Sequence, residues 1–349
     1  MSSDVDLEYK TRGARQLILR IIIPLGITIL LISFLLHFSD PRTIFQLVLN
    51  SAFGDLIVAF GLYICVYLIR ALRFQQFPML NRISTWNLIP IVSLHGFINL
   101  ILPMRSGELS LVYLLRKFHK TEIGSGMGIL LLVRLFDLVA LVLCLTGGLV
   151  LVGSEADKAI DPWLLVIPVL LGVMITVISL TAGRWWRFLV DSLSQFGERM
   201  RIRDKSWCQV GFVWMDEIGF VLESSKRLTF SIRLLATSLA SWLFLFFSFW
   251  LLLQAVGITR FSYPEVVIGS TGAAITSALP INAIGNFGTL QVGWTVGFSA
   301  LGMSAEEGIA SGFAIHIFIL IFSSILALAS YLFLTKQILS SRRSDDQAK

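Results

Sequence analysis

Charge is what this chain most lacks. Only 14% of its 349 residues are Asp, Glu, Lys or Arg, against roughly a quarter in an ordinary soluble domain. Apolar residues make up 56%, and mean hydropathy is +0.80. This balance excludes a water-soluble globular domain and predicts an all-α, polytopic membrane protein. Cysteine is nearly absent too. Cys65 and Cys144 fall in apolar runs and Cys208 in a basic one, so neither a disulfide framework nor a cysteine metal site is expected. The four histidines, His37, His95, His119 and His316, form no local ligand pattern. With no phosphate-cradling glycine loop either, no cofactor and no nucleic-acid partner are expected.

Apolar runs near the ~20 residues that cross a ~30 Å hydrocarbon layer occur at about Leu17 to Leu36, Val48 to Ile69, Gly128 to Val152, Trp163 to Thr181, Leu234 to Val256 and Ile309 to Leu334. These predict six full transmembrane helices. The first follows a basic head (Lys10, Arg12, Arg15, Arg20) but is too long for a signal-peptide core and lacks a clear cleavage site, so it is expected to be retained. Two shorter segments, Trp86 to Leu102 and Glu265 to Ile281, end in breaks rich in proline and glycine.

Sidedness follows from the basic residues, which accumulate in cytoplasmic loops. Segments 1–16, 70–87, 104–127, 182–233 and 335–349 hold all of the 28 Lys and Arg except Arg20, Arg42, Arg134, Lys158 and Arg260. Both termini are therefore expected in the cytoplasm, in a plasma membrane of the bacterial inner-membrane type. The chain is then cytoplasmic on both sides of Trp86 to Phe118, and external on both sides of Glu265 to Leu301. Each stretch reads as a re-entrant helical hairpin, one from either face. Two additional full spans at each place would keep the sidedness, but the roughly 12 residues from Gly107 to Phe118 are few for a crossing. Both hairpins put Leu-Pro at the end of a half-span, then a glycine break, then an apolar helix: LPMRSGELSLVYLL at Leu102 to Leu115 and LPINAIGNFGTLQVGWTV at Leu279 to Val296. Opposed entry makes this an inverted repeat, as in transporters whose sites lie at broken helices near the midplane. Leu-Pro and Gly recurring by chance in apolar protein is the bland alternative.

The organisation expected is one integral membrane domain over 1–349. It has a cytoplasmic tail (1–16), a first half (17–181) with a hairpin at 86–118, an amphipathic cytoplasmic linker (182–233), a second half (234–334) with a hairpin at 265–301, and a cytoplasmic tail (335–349). In the linker, Trp185, Leu189, Leu193 and Phe196 recur at helical spacing beside Arg187, Arg199, Arg201 and Arg203. This suits a helix lying on an anionic inner leaflet, and Phe212 to Lys226 suits a second.

Inside lipid, non-helical backbone survives only where protein or a water-filled cavity satisfies it. Pro103 removes a donor and Gly107 permits unusual dihedrals, so a cavity-lining break is expected between them. A helix starting near Gly107 would turn its free N–H groups into that cavity beside Arg105, a combination suited to phosphate. Glu108 then needs a partner, because an unpaired carboxylate at depth costs several kcal/mol. The next span offers Arg134 and Asp137, three residues apart and so on one helix face. The alternatives are a packing ion pair for Arg134 and Asp137, and snorkelling to the surface for Arg105 and Glu108. In the second hairpin Asn282, Asn286 and Gln291 donate and accept hydrogen bonds but carry no charge. They suit a hydroxyl, sugar or amide. Asp55, His95 and His316 are weaker candidates.

RALRF (Arg70 to Phe74), LPMRSGELSLVYLLRK (Leu102 to Lys117), VRLFDLVAL (Val133 to Leu141) and LPINAIGNFGTLQ (Leu279 to Gln291) resemble the membrane region of lysylphosphatidylglycerol synthetase/flippase proteins, which is also the stand-alone flippase-like domain. The resemblance spans nearly the whole chain. It implies movement of a lipid between leaflets, and links of the wider family to polyprenyl or glycolipid assembly leave the lipid open. Where the resemblance leads one to expect a second glutamate, this chain has Gln291. The chain stops soon after its last apolar run, so the soluble synthase activity is not expected of it. Three functions follow. The first is a translocator of an anionic phospholipid or polyprenyl-phosphate-linked headgroup, with Arg105, Gly107, Glu108, Arg134, Asp137, Asn282, Asn286 and Gln291 as its site. The second is a membrane-embedded transferase using Glu108 or Asp137 as base, and the third a non-catalytic partner of a separate lipid-modifying synthase. Oligomeric state is left open.

Overall fold

Prolines, polar breaks and glycines cut the apolar sequence into helices of two kinds, long and short. The computed structural model describes residues 25–26, 28–37, 40–154, 163–200, 203, 205–278 and 283–347. Residues 17–24 and 27 of the expected first span fall outside these residues. Its described part is the apolar helix α1 (Thr28–His37). Asp40 caps α2 (Pro41–Leu49), its carboxylate accepting from the Arg42 N–H at 2.9 Å. Then come α3 (Phe53–Gln75), α4 (Thr85–Ile101), α5 (Leu109–His119), α6 (Ile123–Gly153), α7 (Trp163–Arg199), α8 (Ser206–Glu223), α9 (Leu228–Ala255), α10 (Tyr263–Ala278), α11 (Thr289–Ser299) and α12 (Ala305–Gln347). The described elements are all helical. Five of them, α3, α6, α7, α9 and α12, are long and apolar enough to cross a membrane, so the chain is a polytopic, multi-pass membrane protein.

Two helix boundaries depart from expectation. The polar turn at Asn50 and Ser51 ends α2, so α3 starts late and runs on to Gln75, carrying Arg70 and Arg73 inside the helix rather than in a loop. Asp55 consequently sits in the first turn of α3, where the positive end of the helix dipole favours a carboxylate. The amphipathic stretch after Gly183 is not a separate surface helix either. It continues α7 without a break to Arg199, because nothing from Thr181 to Arg187 stops a helix. The aromatic side chain of Trp186 ties this extension to α8, its indole N–H donating to the Met215 carbonyl at 2.7 Å.

The short helices pack in folded-back pairs. A Cβ placed on Gly272, Gly293 or Gly297 would overlap facing backbone, Gly272 against Gly293 and Gly297 against Gly269. That pairing makes α10 and α11 antiparallel, in the close approach that small residues permit between membrane helices. On the other side, α4 packs against α3 and α12 while α10 packs against α6. Each short pair thus lies against a long helix from the other half of the chain. The largest cluster of buried side chains joins both halves, with Phe246, Trp294 and Phe298 among its fully buried aromatics.

Candidate functional site

Pro103 ends α4 and opens a 3₁₀ segment to Glu108, inside which Met104 (φ 54°) and Arg105 (φ 55°) adopt left-handed backbone. The expectation that Gly107 supplies the unusual dihedral is corrected here. Its role is close approach: a Cβ at Gly107 would stand 2.5 Å from Asn99 Cα and 2.7 Å from the Ile98 carbonyl oxygen. Two bulky residues in left-handed backbone cost about 1–3 kcal/mol each, so surrounding contacts must hold them. Several do. Arg105 donates to the Ser277 carbonyl from Nε at 3.2 Å and Nη2 at 3.0 Å, and its Nη1 lies 2.9 Å from Glu108 Oε1. Ser106 Oγ donates to the Pro103 carbonyl at 2.7 Å. From α4, His95 Nδ1 meets Ser110 Oγ, in the first turn of α5, at 2.9 Å. His95 therefore ties the start of α5 back to α4 across the break.

Glu108 finds its partner in the next span, as expected, but in a different pairing. Arg134 Nη2 approaches Glu108 Oε1 at 2.9 Å, so one carboxylate oxygen bridges Arg105 and Arg134. Asp137 instead pairs with Arg73 of α3, and Arg73 Nη1 also donates to Ser238 Oγ of α9 at 3.1 Å. Arg134 and Asp137 share a helix face, yet each serves a different partner.

A cavity of about 300 Å³ opens beside this network. Its wall includes Arg70, Arg105, Arg134 and Asp137, the tyrosines Tyr63 and Tyr67, Asn99 of α4, and Ser277, Asn286 and Leu290 from the α10–α11 side. Trp242 and Phe249 line the apolar part. Both folded-back pairs thus contribute. Arg70 has no carboxylate partner among the described residues; its guanidinium carbon lies 5.4 Å from the Tyr67 ring centroid. The buried Oδ1 of Asn99 has no hydrogen-bond partner.

The remaining candidates divide. Asn286 (φ 58°) is on the cavity wall, its Nδ2 donating to Ser277 Oγ at 2.8 Å and its Oδ1 accepting from Thr289 Oγ1 at 2.6 Å. Gln291 is fully buried away from that wall: its Oε1 caps the Gly288 N–H at 2.7 Å and its Nε2 lies 3.0 Å from His316 Nδ1. Gly107 and Glu108 stand behind the wall rather than on it, and α5 starts beyond them, at Leu109. Asn282 lies outside the described residues. The sequence alone does not single out Arg70, Arg73, Tyr63, Tyr67 and Asn99 as part of the site. A signal existed in the spacing, since Tyr63, Tyr67 and Arg70 stand four and three residues apart and share a helical face.

No curated protein and no solved structure matches the chain. Residues 21–327 match the family described as the lysylphosphatidylglycerol synthase TM region. With this match over most of its length, the chain belongs to the lysylphosphatidylglycerol synthase transmembrane-region family.

Proposed function

We propose that this lipid-handling membrane protein translocates a phospholipid or lipid-linked glycan by taking the phosphate-bearing headgroup into the cavity while the acyl chains stay in the bilayer. One observation carries the reading: Arg70, Arg105 and Arg134 converge on a single cavity walled by both folded-back helix pairs. Its volume supports a headgroup and not a whole lipid, since about 300 Å³ lies at the small end of ligand sites. Arginine suits phosphate through its fork of N–H donors.

In this reading α4–α5 and α10–α11 are re-entrant hairpins of an inverted repeat, with six full spans and both termini cytoplasmic in a plasma membrane. Helix lengths support it. The 11 residues of α5 and the 11 of α11 rise about 16 Å at 1.5 Å per residue, about half of a hydrocarbon layer. Each is followed by a long helix, α6 or α12. Arg105 hydrogen-bonding to Ser277 joins the two breaks where such a fold puts its substrate site.

Reconstitution tests the function. Vesicles holding the purified protein and a headgroup-labelled phospholipid should lose outer-leaflet protection of the inner label faster than empty vesicles, and an Arg134→Gln variant should lose that gain. Folded protein that transfers no anionic phospholipid and no polyprenyl-phosphate lipid would rule the function out.

A further inference from the structure

Resting on the headgroup reading above, we infer that the cavity selects a headgroup bearing a dianionic phosphate monoester and rejects one made cationic by aminoacylation. Charge accounting carries this. Four arginines, Arg70, Arg73, Arg105 and Arg134, stand with two carboxylates, Glu108 and Asp137, an excess of two positive charges. Each carboxylate is already neutralised by arginine, so neither offers a ligand cation an uncompensated charge. Asp137 is held by Arg73 and Glu108 by two arginines at once. Glu265 is far along α10 from this wall and hydrogen-bonds Ser262.

Arg70 is the residue that decides the preference. It lines the cavity without a carboxylate partner among the described residues, and it lies within electrostatic reach of Arg73 and His95. Arg73 also feels the charge of Arg134, and so does Arg105. Like charges gathered in a low-dielectric site repel one another, and an incoming anion relieves that repulsion. A phosphate monoester brings about −1.5 to −2 charges and three acceptor oxygens, close to the excess present. The buried Asn99 Oδ1, which lacks a partner, can accept from a hydroxyl of the headgroup but not from the dianionic phosphate itself, which has no proton to donate. A phosphodiester headgroup with one negative charge would leave part of the excess uncompensated. A lysyl ester, with two ammonium groups on one phosphate, would add to it.

The test is competitive lipid retention by the full chain in detergent, read by native mass spectrometry. The probes are equimolar phosphatidic acid, phosphatidylglycerol and lysylphosphatidylglycerol. Phosphatidic acid should be retained about tenfold or more over the lysyl lipid, the scale of one charge-assisted hydrogen bond, with phosphatidylglycerol between them. Arg70→Gln should erase most of the preference and Arg70→Lys should keep it. Equal retention of the three lipids, preference for the lysyl lipid, or an Arg70→Gln profile like wild type would overturn the inference. An added arm contains inorganic phosphate: displacement of phosphatidic acid at equal concentration assigns the site to free phosphate, and retention assigns it to the lipid headgroup, both upholding dianion selection. Lipid preference without vesicle transfer would defeat translocation alone, while transfer without preference would defeat this selectivity alone.

Discussion

Removing the Asp137 carboxylate leaves the Arg73 guanidinium, 4% exposed, without its ion-pair partner in the middle of the bundle. Breaking a buried pair from one side costs about 3–5 kcal/mol, whereas apolar replacement of both partners is often neutral. Asp137→Asn should therefore lower the melting temperature in detergent markedly, and Arg73→Met with Asp137→Leu should recover most of it. A double variant as unstable as the single one would mean that the pair does more than satisfy itself. Gly107→Ala is the second residue-level test. The added methyl meets α4 backbone rather than a flexible side chain, so a loss of at least the roughly 1–3 kcal/mol of core overpacking is expected. Glu108→Gln acts in the opposite sense on binding: it frees Arg105 and Arg134 and should raise retention of anionic lipid, most visibly at low salt.

At the scale of elements, Arg105 spans the two broken-helix pairs by donating twice to the Ser277 carbonyl near the end of α10. A cation is well placed there, since unpaired carbonyls and the negative end of the dipole collect at helix C-termini. Arg105→Ala should loosen this junction, so a cysteine introduced as Ser277→Cys in a background without Cys65, Cys144 and Cys208 should react faster with a small thiol reagent. Unchanged reactivity would place the junction's strength elsewhere, in the glycine-lined contact of α10 with α11. Most of these elements were legible in the sequence. Trp86 to Leu102 anticipated α4, Gly107 to Phe118 anticipated α5, and Pro103 anticipated the break. What escaped is instructive in physical terms. Counting Arg70 and Arg73 as loop charges assumes that arginine seeks water, but a buried carboxylate and a polar cavity serve it equally well. No count along the chain reveals that Asp137 lies opposite Arg73, sixty-four residues away. Propensity likewise points to glycine for the dihedral strain, and tertiary contacts put it on Met104 and Arg105 instead.

For the whole molecule, the proposed orientation rests on the distribution of basic residues. If both termini are cytoplasmic, a reporter active only in the cytoplasm should work at the C-terminus and one active only outside should not; the reverse result would invert the proposed topology. The family match fixes the kind of protein, and the arginine-lined cavity is its proposed headgroup site. The central claim is that a lipid headgroup occupies the space between the two broken-helix pairs. Density for a lipid copurified with the protein, in a cryo-electron microscopy reconstruction in nanodiscs, tests it most directly. A phosphate within hydrogen-bonding distance of Arg70, Arg105 or Arg134 is the predicted result. Ordered lipid found only on the outer surface of α7, α8 and α12, with the arginine cavity filled by water or side chains alone, would contradict it.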